Sequence, residues 1–188
     1  MKRAFDILLT LWTAPLWLPL AALVALAVYA TMGPPALFVQ ERAGLNGRVF
    51  RLWKFRTMRG GPGTDAERLT RAGRFLRRTS LDELPQLFHV LSGKMALVGP
   101  RPLPARYLPR YTPEQARRHT VRPGITGWAQ VNGRNALSWE EKFRLDVWYV
   151  DHRSLALDLR ILWRTLLKAA RPSGIDHADG ETMPEFTG

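Results

Sequence analysis

Two adjacent carboxylates, Asp82 and Glu83, are the residues whose types and spacing best suit chemistry in this 188-residue chain. They close the run Arg77-Arg78-Thr79-Ser80-Leu81-Asp82-Glu83. A carboxylate held by arginines can attack phosphorus as a nucleophile or ligate a hard cation. Ser80-Leu81-Asp82-Glu83 also matches a capping box, which predicts a helix opening at Ser80 with both carboxylates in its first turn. There the positive helix end, and Arg77 and Arg78 if they approach closely, would favour the ionised forms. A capping role alone would account for Glu83 without any catalysis.

Candidate phosphate binders surround this pair in sequence. Gly99-Pro100-Arg101-Pro102 is a rigid turn offering one arginine. Arg122-Pro123-Gly124-Ile125-Thr126-Gly127-Trp128 and Asn132-Gly133-Arg134-Asn135 combine glycines with further arginines. Arginine forks suit diphosphates, and glycine lets backbone amides approach phosphate oxygens. Neither stretch is a P-loop or a dinucleotide fingerprint. The four histidines have no metal-ligand spacing, and His89, beside Phe88, reads as a structural residue.

Charge and composition narrow the partners. The formal net charge of +12, from 28 Lys and Arg against 16 Asp and Glu, predicts an anionic partner without choosing among nucleic acid, anionic lipid and phosphorylated substrates. The absence of cysteine excludes disulfides and thiolate metal sites.

The elements that must position these residues begin with an apolar segment. No charged residue lies between Ile7 and Gln40, and about 20 apolar residues suffice to span a bilayer as a helix. Yet Lys2 and Arg3 precede the segment while Arg42, Arg48, Arg51, Lys54 and Arg56 follow it, so both flanks claim the cytoplasmic side. Pro15 and Pro19 interrupt helical hydrogen bonding. A broken helix that enters and leaves through one leaflet satisfies both facts, with Pro19 expected at the break because it divides the segment more evenly. The segment exceeds the roughly 7–15 apolar residues of a signal peptide, and a straight transmembrane helix is the plainer alternative.

Further on, Val49 to Met58 reads as a strand and Gly60 to Gly63 as a loop. Helices are expected over Ala66 to Arg78, from Ser80, from Thr112-Pro113-Glu114, and from Ser138 to about Val150. From Ser154 to Ala170, Leu155, Leu159, Leu162 and Leu166 recur at helical spacing, with Arg160, Arg164 and Lys168 on a polar stripe. That pattern fits a basic amphipathic helix in a membrane interface, or equally a surface helix on a soluble core. The expected architecture is α+β and mostly helical: a re-entrant membrane anchor over residues 1–40, a cytoplasmic catalytic domain with interfacial helices over 41–172, and a polar tail over 173–188.

Five runs in order resemble one known family. They are Lys2-Arg3-Ala4-Phe5-Asp6, Lys54-Phe55-Arg56-Thr57-Met58, Ser80-Leu81-Asp82-Glu83-Leu84-Pro85-Gln86-Leu87, Leu97-Val98-Gly99-Pro100-Arg101-Pro102, and Val121 to Gly133. Together they look like the bacterial sugar transferases, the monotopic phosphoglycosyl transferases, over nearly the whole chain. Length and motif order look closest to the small members, such as the diacetylbacillosamine phosphotransferase of bacterial protein N-glycosylation, which lack the extra N-terminal membrane helices of larger ones.

The resemblance implies a monotopic protein on the cytoplasmic face of a bacterial inner membrane. It implies that Asp82 attacks the β-phosphate of a UDP-sugar, releasing UMP, and that undecaprenyl phosphate, the polyprenyl acceptor, then takes the phosphosugar from the aspartate. Glu83 would help hold Mg²⁺ or handle a proton, with Asp82 and Glu83 as the metal ligands. Lys54, Arg77 and Arg101 stand at positions expected to contact phosphate and carboxylate, and Arg134 is assigned to the nucleotide. Related members carry a Ser-Pro pair at the break, where this chain has Leu18-Pro19. The similarity to bacillosamine-type enzymes suggests an N-acetylated amino sugar, and no nucleic-acid partner is expected. The rival from another class is a non-catalytic, membrane-associated binder of anionic lipid or nucleic acid.

Overall fold

The computed structural model describes residues 1–133, 136–170 and 185–188. Two N-terminal helices, α1 (Lys2–Trp12) and α2 (Ala14–Met32), lead into an antiparallel hairpin of β1 (Leu37–Ala43) and β2 (Val49–Phe55). Next come α3 (Asp65–Arg68), α4 (Arg71–Thr79), a 3-10 turn over Leu81–Glu83 and α5 (Gln86–Leu91). Strand β3 (Ala96–Val98) pairs in parallel with β4 (Gly124–Thr126), and α6 (Pro113–Ala116) lies in the connection. Helices α7 (Trp128–Asn132), α8 (Trp139–His152) and α9 (Leu155–Ala170) follow. The mixture is α+β and mostly helical, as expected.

The apolar segment is interrupted at Thr13, and Pro19 lies inside α2, so the expected break at Pro19 is corrected. The reason is local. Pro15 stands in the first turn of α2, where its missing N–H costs no helical bond. Thr13 Oγ1 donates to the carbonyls of Leu9 and Thr10, ending α1. Trp17 Nε1 then donates to Thr10 O at 3.0 Å and ties the two helices together.

Both arms of this segment rest on the same globular body. Arg3 donates to the carbonyls of Val90 and Leu91, and Lys2 pairs with the buried Asp158 of α9. Trp17 meets Phe88 of α5 edge to face, with ring centroids 5.1 Å apart. Val24 and Val28 are buried with Phe55 and Leu76. Arg56 closes the far end of α2 by donating to the carbonyls of Met32 and Gly33. The opposite side of the segment exposes Leu8, Leu11, Trp12, Leu16, Leu23 and Leu26. Helix α2 is long and apolar enough to cross a membrane.

Two expected helices differ from the structure. The helix predicted over Ala66 to Arg78 is split, because Thr70 Oγ1 accepts from Gly73 N and starts α4 anew. Ser80 does not cap a helix. It takes a left-handed conformation (φ 58°) that ends α4, and Leu81–Glu83 form a 3-10 turn before α5. The capping boxes at Thr112 and Ser138 are present.

The main core gathers Val90, Met95, Val98, Tyr149 and Ile161 around the short parallel sheet. Helix α9 contributes Leu157 and Ile161 to it while exposing Leu155, Leu159, Trp163 and Leu166. It therefore packs on a core and also presents an apolar stripe. Of the tail expected to be polar, residues 185–188 are described, and Phe186 is buried against Tyr107, Tyr111, Trp139 and Phe143.

Candidate active site

Asp82 and Glu83 sit together in the 3-10 turn but differ in burial and partners. Asp82 is 5% exposed, whereas Glu83 reaches Arg101, with Arg101 Nη2 2.6 Å from Glu83 Oε1. Burial first, and then the neighbouring Glu83 carboxylate, push Asp82 up to about 6, while Lys54, Arg101 and Arg77 pull it down. The expectation that a helix end and arginines favour the ionised form is corrected for Asp82. The arginines act as expected, but desolvation outweighs them.

Three of the cations expected at the site surround this pair. Lys54 comes from β2, which packs against the carboxylate turn, and is half-buried, so desolvation lowers its pKa although Glu83 raises it. Arg77 comes from the last turn of α4 and is held by Nε donating to Thr57 Oγ1 at 3.1 Å. Gly73 makes that approach possible, because a Cβ there would lie 1.8 Å from Thr57 O. Arg101 is held from behind: its carbonyl accepts from Arg118 Nη2 at 2.8 Å, and Arg118 is itself buried in a 2.7 Å ion pair with Asp146. The Gly99-Pro100 backbone is pinned to β4, with Gly99 N donating to Thr126 O and Gly124 N to Pro100 O. The Glu83 carboxylate raises the Arg101 pKa.

Arg42 joins the cluster without having been singled out from sequence for the site. Its Nη1 donates to Pro102 O at 3.1 Å and its Nη2 to Gln40 Oε1 at 2.5 Å. Burial, then the field of Arg101, lowers its pKa to about 10. The signal was available in β1, where Gln40 and Arg42 share one face by the two-residue strand period. Arg42, Lys54, Arg77 and Arg101 thus outnumber the two carboxylates, an excess that suits a diphosphate ligand.

An open cleft borders the Glu83–Arg101 pair and is lined further by Arg78, Ser80, Thr126, Gln130, Thr165 and Lys168. Thr126 Oγ1 and Thr165 Oγ1 are 2.7 Å apart at its floor. Of the remaining expected site residues, Arg134 lies outside the described residues, and Pro19 lies in α2 rather than at the helix interruption. His89 is structural, as expected: its Nε2 accepts from Trp53 N at 3.1 Å, and burial lowers its pKa to about 4.

No group of three or more His, Cys, Asp or Glu that could hold a metal ion occurs among the described residues. Two adjacent carboxylates fit an ion that takes the rest of its shell from water and substrate phosphates, the habit of Mg²⁺ rather than of a closed protein cage.

Comparison with known proteins follows this geometry. The sequence profile of the bacterial sugar transferase family matches residues 1–172. An uncharacterised sugar transferase from Bacillus subtilis, EpsL, is 49% identical over all of this chain and 96% of its own length. An undecaprenyl-phosphate glucose phosphotransferase from Komagataeibacter xylinus is 42% identical over 88% of this chain and 35% of its own length. A UDP-glucose:undecaprenyl-phosphate glucose-1-phosphate transferase from Escherichia coli is 39% identical over 89% of this chain. The chain spans 40% of that relative, so it corresponds to one part of these larger enzymes. A profile match over nearly the full length, together with a near full-length relative, establishes that this chain belongs to the bacterial sugar transferase family.

Proposed function

We propose that this chain transfers a sugar-1-phosphate from a UDP-sugar to undecaprenyl phosphate, releasing UMP, as the first membrane step of glycoconjugate assembly. The observation that carries the proposal is a buried carboxylate, Asp82, within the field of Lys54, Arg77 and Arg101 and beside Glu83. Relatives named for undecaprenyl-phosphate glucose and galactose transfer support the same reaction class.

In the first step, an Asp82 carboxylate oxygen forms a bond to the β-phosphorus, and the bond from that phosphorus to the bridging oxygen breaks. UMP leaves with the bridging oxygen, and the phosphosugar stays on Asp82. In the second step, an oxygen of the lipid phosphate attacks the same phosphorus and the acyl phosphate bond breaks. That returns the Asp82 carboxylate and yields a lipid diphosphate sugar. The lipid monoester attacks as an anion, so the second step needs no base. Lys54, Arg77 and Arg101 offset the negative charge that otherwise repels a carboxylate from a diphosphate, with Arg42 extending the same field. Arg134 is assigned to the nucleotide. Mg²⁺ held by Asp82, Glu83 and the substrate phosphates would add charge neutralisation of the same kind.

The membrane setting is part of the proposal. The N-terminal segment is a re-entrant anchor, supported by α1 and α2 both resting on one body while their outer side exposes large apolar residues. Contact of α2 with the body near its start, at Trp17, and near its end, at Val28, supports this re-entrant reading. Helix α9, with its exposed apolar stripe and basic residues, would lie in the interface on the cytoplasmic face of the inner membrane.

The test is UMP release by detergent-solubilised protein given undecaprenyl phosphate, Mg²⁺ and UDP-glucose, UDP-galactose or N-acetylated UDP-sugars, with Asp82→Asn in parallel. Release by the wild type alone supports the reaction and the nucleophile. Release of UDP instead of UMP would mean a monophosphate-linked product. Equal release by Asp82→Asn would sink the covalent route. A folded, membrane-bound protein inert to every donor would favour the rival, a basic binder of anionic lipid or nucleic acid.

A further inference from the structure

The cleft beside Glu83 and Arg101 differs in character from the donor side of the site. Lys54, Arg77 and Arg42 approach the carboxylates from β2, α4 and β1, whereas the cleft brings in Arg78 from the outer side of α4 and Lys168 from α9. The cleft is open to solvent, so a phosphate head can enter it while the rest of its chain stays outside. Three cations, Arg78, Arg101 and Lys168, line it against the single carboxylate of Glu83.

What flanks these cations is apolar. Helix α4 exposes Phe75 one turn before Arg78, and α9 exposes Leu166 and Leu167 just before Lys168. A nucleotide diphosphate has no use for such flanks. A phosphate monoester on a long hydrocarbon chain needs both features, cations for the head and greasy walls for the tail. Arg78 and Lys168 reach the cleft from helices that leave apolar side chains exposed outside it, so a lipid chain lying along those helices would bring its phosphate to the cleft.

We propose that this cleft is the acceptor subsite, in which Arg78 and Lys168 bind the phosphate monoester of the lipid while Arg101 stands on the border with the donor phosphates. This assignment rests on the proposed transfer reaction. It divides the site into a donor side and an acceptor side that meet at Glu83 and Arg101. The acceptor phosphate then enters from the membrane-facing side without displacing Lys54 or Arg77.

The experiment compares Arg78→Gln, Lys168→Gln and the double variant with wild type, and uses Arg74→Gln as a control of equal charge change on the exposed side of α4. Two rates are measured. One is exchange of labelled UMP into UDP-sugar without lipid, and the other is turnover against undecaprenyl phosphate concentration at saturating donor. Each cleft variant is expected to raise the acceptor KM about tenfold, the scale of one lost charge-assisted phosphate contact, and to leave exchange unchanged. Arg74→Gln should move neither rate. An unchanged acceptor KM overturns the assignment, and so does a parallel fall in exchange. If wild type turns over but shows no exchange, the covalent reading fails and the acceptor titration alone decides the cleft. A short-chain isoprenyl phosphate should inhibit at least tenfold better than inorganic phosphate, whereas equal inhibition by the two would mark a free-phosphate site and overturn the lipid assignment.

Discussion

Arg101 pairs with Glu83, Nη2 to Oε1 at 2.6 Å, while its own carbonyl is fixed by the buried Arg118. The arginine is thus oriented by its backbone as well as by its partner. Its side chain is 45% exposed, so the pair adds little to folding, about 0–1 kcal/mol.

The first prediction separates those two roles. Arg101→Ala should lower UMP release by roughly 10²–10³-fold, as for loss of one preorganised charge donor, with a melting temperature close to wild type. Arg101→Lys should recover only part of the rate, because an ammonium cannot present a planar fork to carboxylate and phosphate together. Rates within threefold of wild type for Arg101→Ala would remove Arg101 from the chemistry.

Asp82 gives the second prediction through its titration. In the proposed mechanism only the ionised carboxylate attacks, and burial with Glu83 raises it from 3.8 to about 6. The donor half-reaction should therefore fall as pH drops through about 6, approaching tenfold per pH unit below it. The stability effect has the opposite sign. A folded pKa above the unfolded one favours the protonated form, so this contribution is present at low pH and lost as pH rises through 6. Asp82→Asn should accordingly be inactive yet more stable to unfolding than wild type at pH 7.5, by at most about 3 kcal/mol. A flat pH profile down to pH 5 would contradict this account.

The contrast between Asp82 and Arg101 also says what was legible in the sequence. Residue types and order singled out Asp82, Glu83, Arg77 and Arg101 as candidates for phosphate chemistry, whereas Lys54 was placed at the site only by the family resemblance. The geometry between them was not legible. Ser80-Leu81-Asp82-Glu83 fits a capping box by letter, whereas the structure has a left-handed Ser80, a 3-10 turn, and Glu83 accepting from Arg101. Likewise Pro19 looked like the break by symmetry, while the cost of a proline depends on its place in the helix, and Pro15 at the start of α2 fixed the interruption at Thr13. The strand period could place Arg42 beside Gln40, but its contact with Pro102 O, which brings it to the site, is a tertiary contact that no local pattern shows. Arg134 was named from its glycine-rich surroundings and falls outside the described residues.

His89 supplies a third prediction, on acid stability. Its Nε2 must stay unprotonated to accept from Trp53 N, which joins α5 to the strand carrying Lys54. The folded value of about 4 lies below the ordinary 6.5, so stability is full above 6.5 and is lost as pH falls from there to about 4. The loss is on the order of 2–3 kcal/mol for this one group. His89→Gln keeps a neutral acceptor and should shrink the difference in unfolding free energy between pH 7 and pH 4.5 by about that amount. Denaturant melts at the two pH values read it directly, and an identical pH dependence in both proteins would rule His89 out.

The fourth prediction concerns the chain's end. Phe186 is 5% exposed, 4.9 Å from the Phe143 ring and stacked on Tyr111. Glu185 pairs with Arg106 and Arg110 at 3.0 and 2.9 Å. Leu103 belongs to the same cluster, two residues beyond Arg101, so the docked tail backs the turn that presents this arginine. Phe186→Ala should cost about 3 kcal/mol as a buried aromatic truncation, and should raise the donor KM by loosening that turn. Phe186→Tyr should retain most of both, and Glu185→Gln should cost under about 1 kcal/mol because its ion pairs face solvent. Thermal melts and donor titrations on the three variants separate the contributions. If Phe186→Ala melts and turns over as wild type does, the tail rests on the aromatic cluster without supporting Arg101.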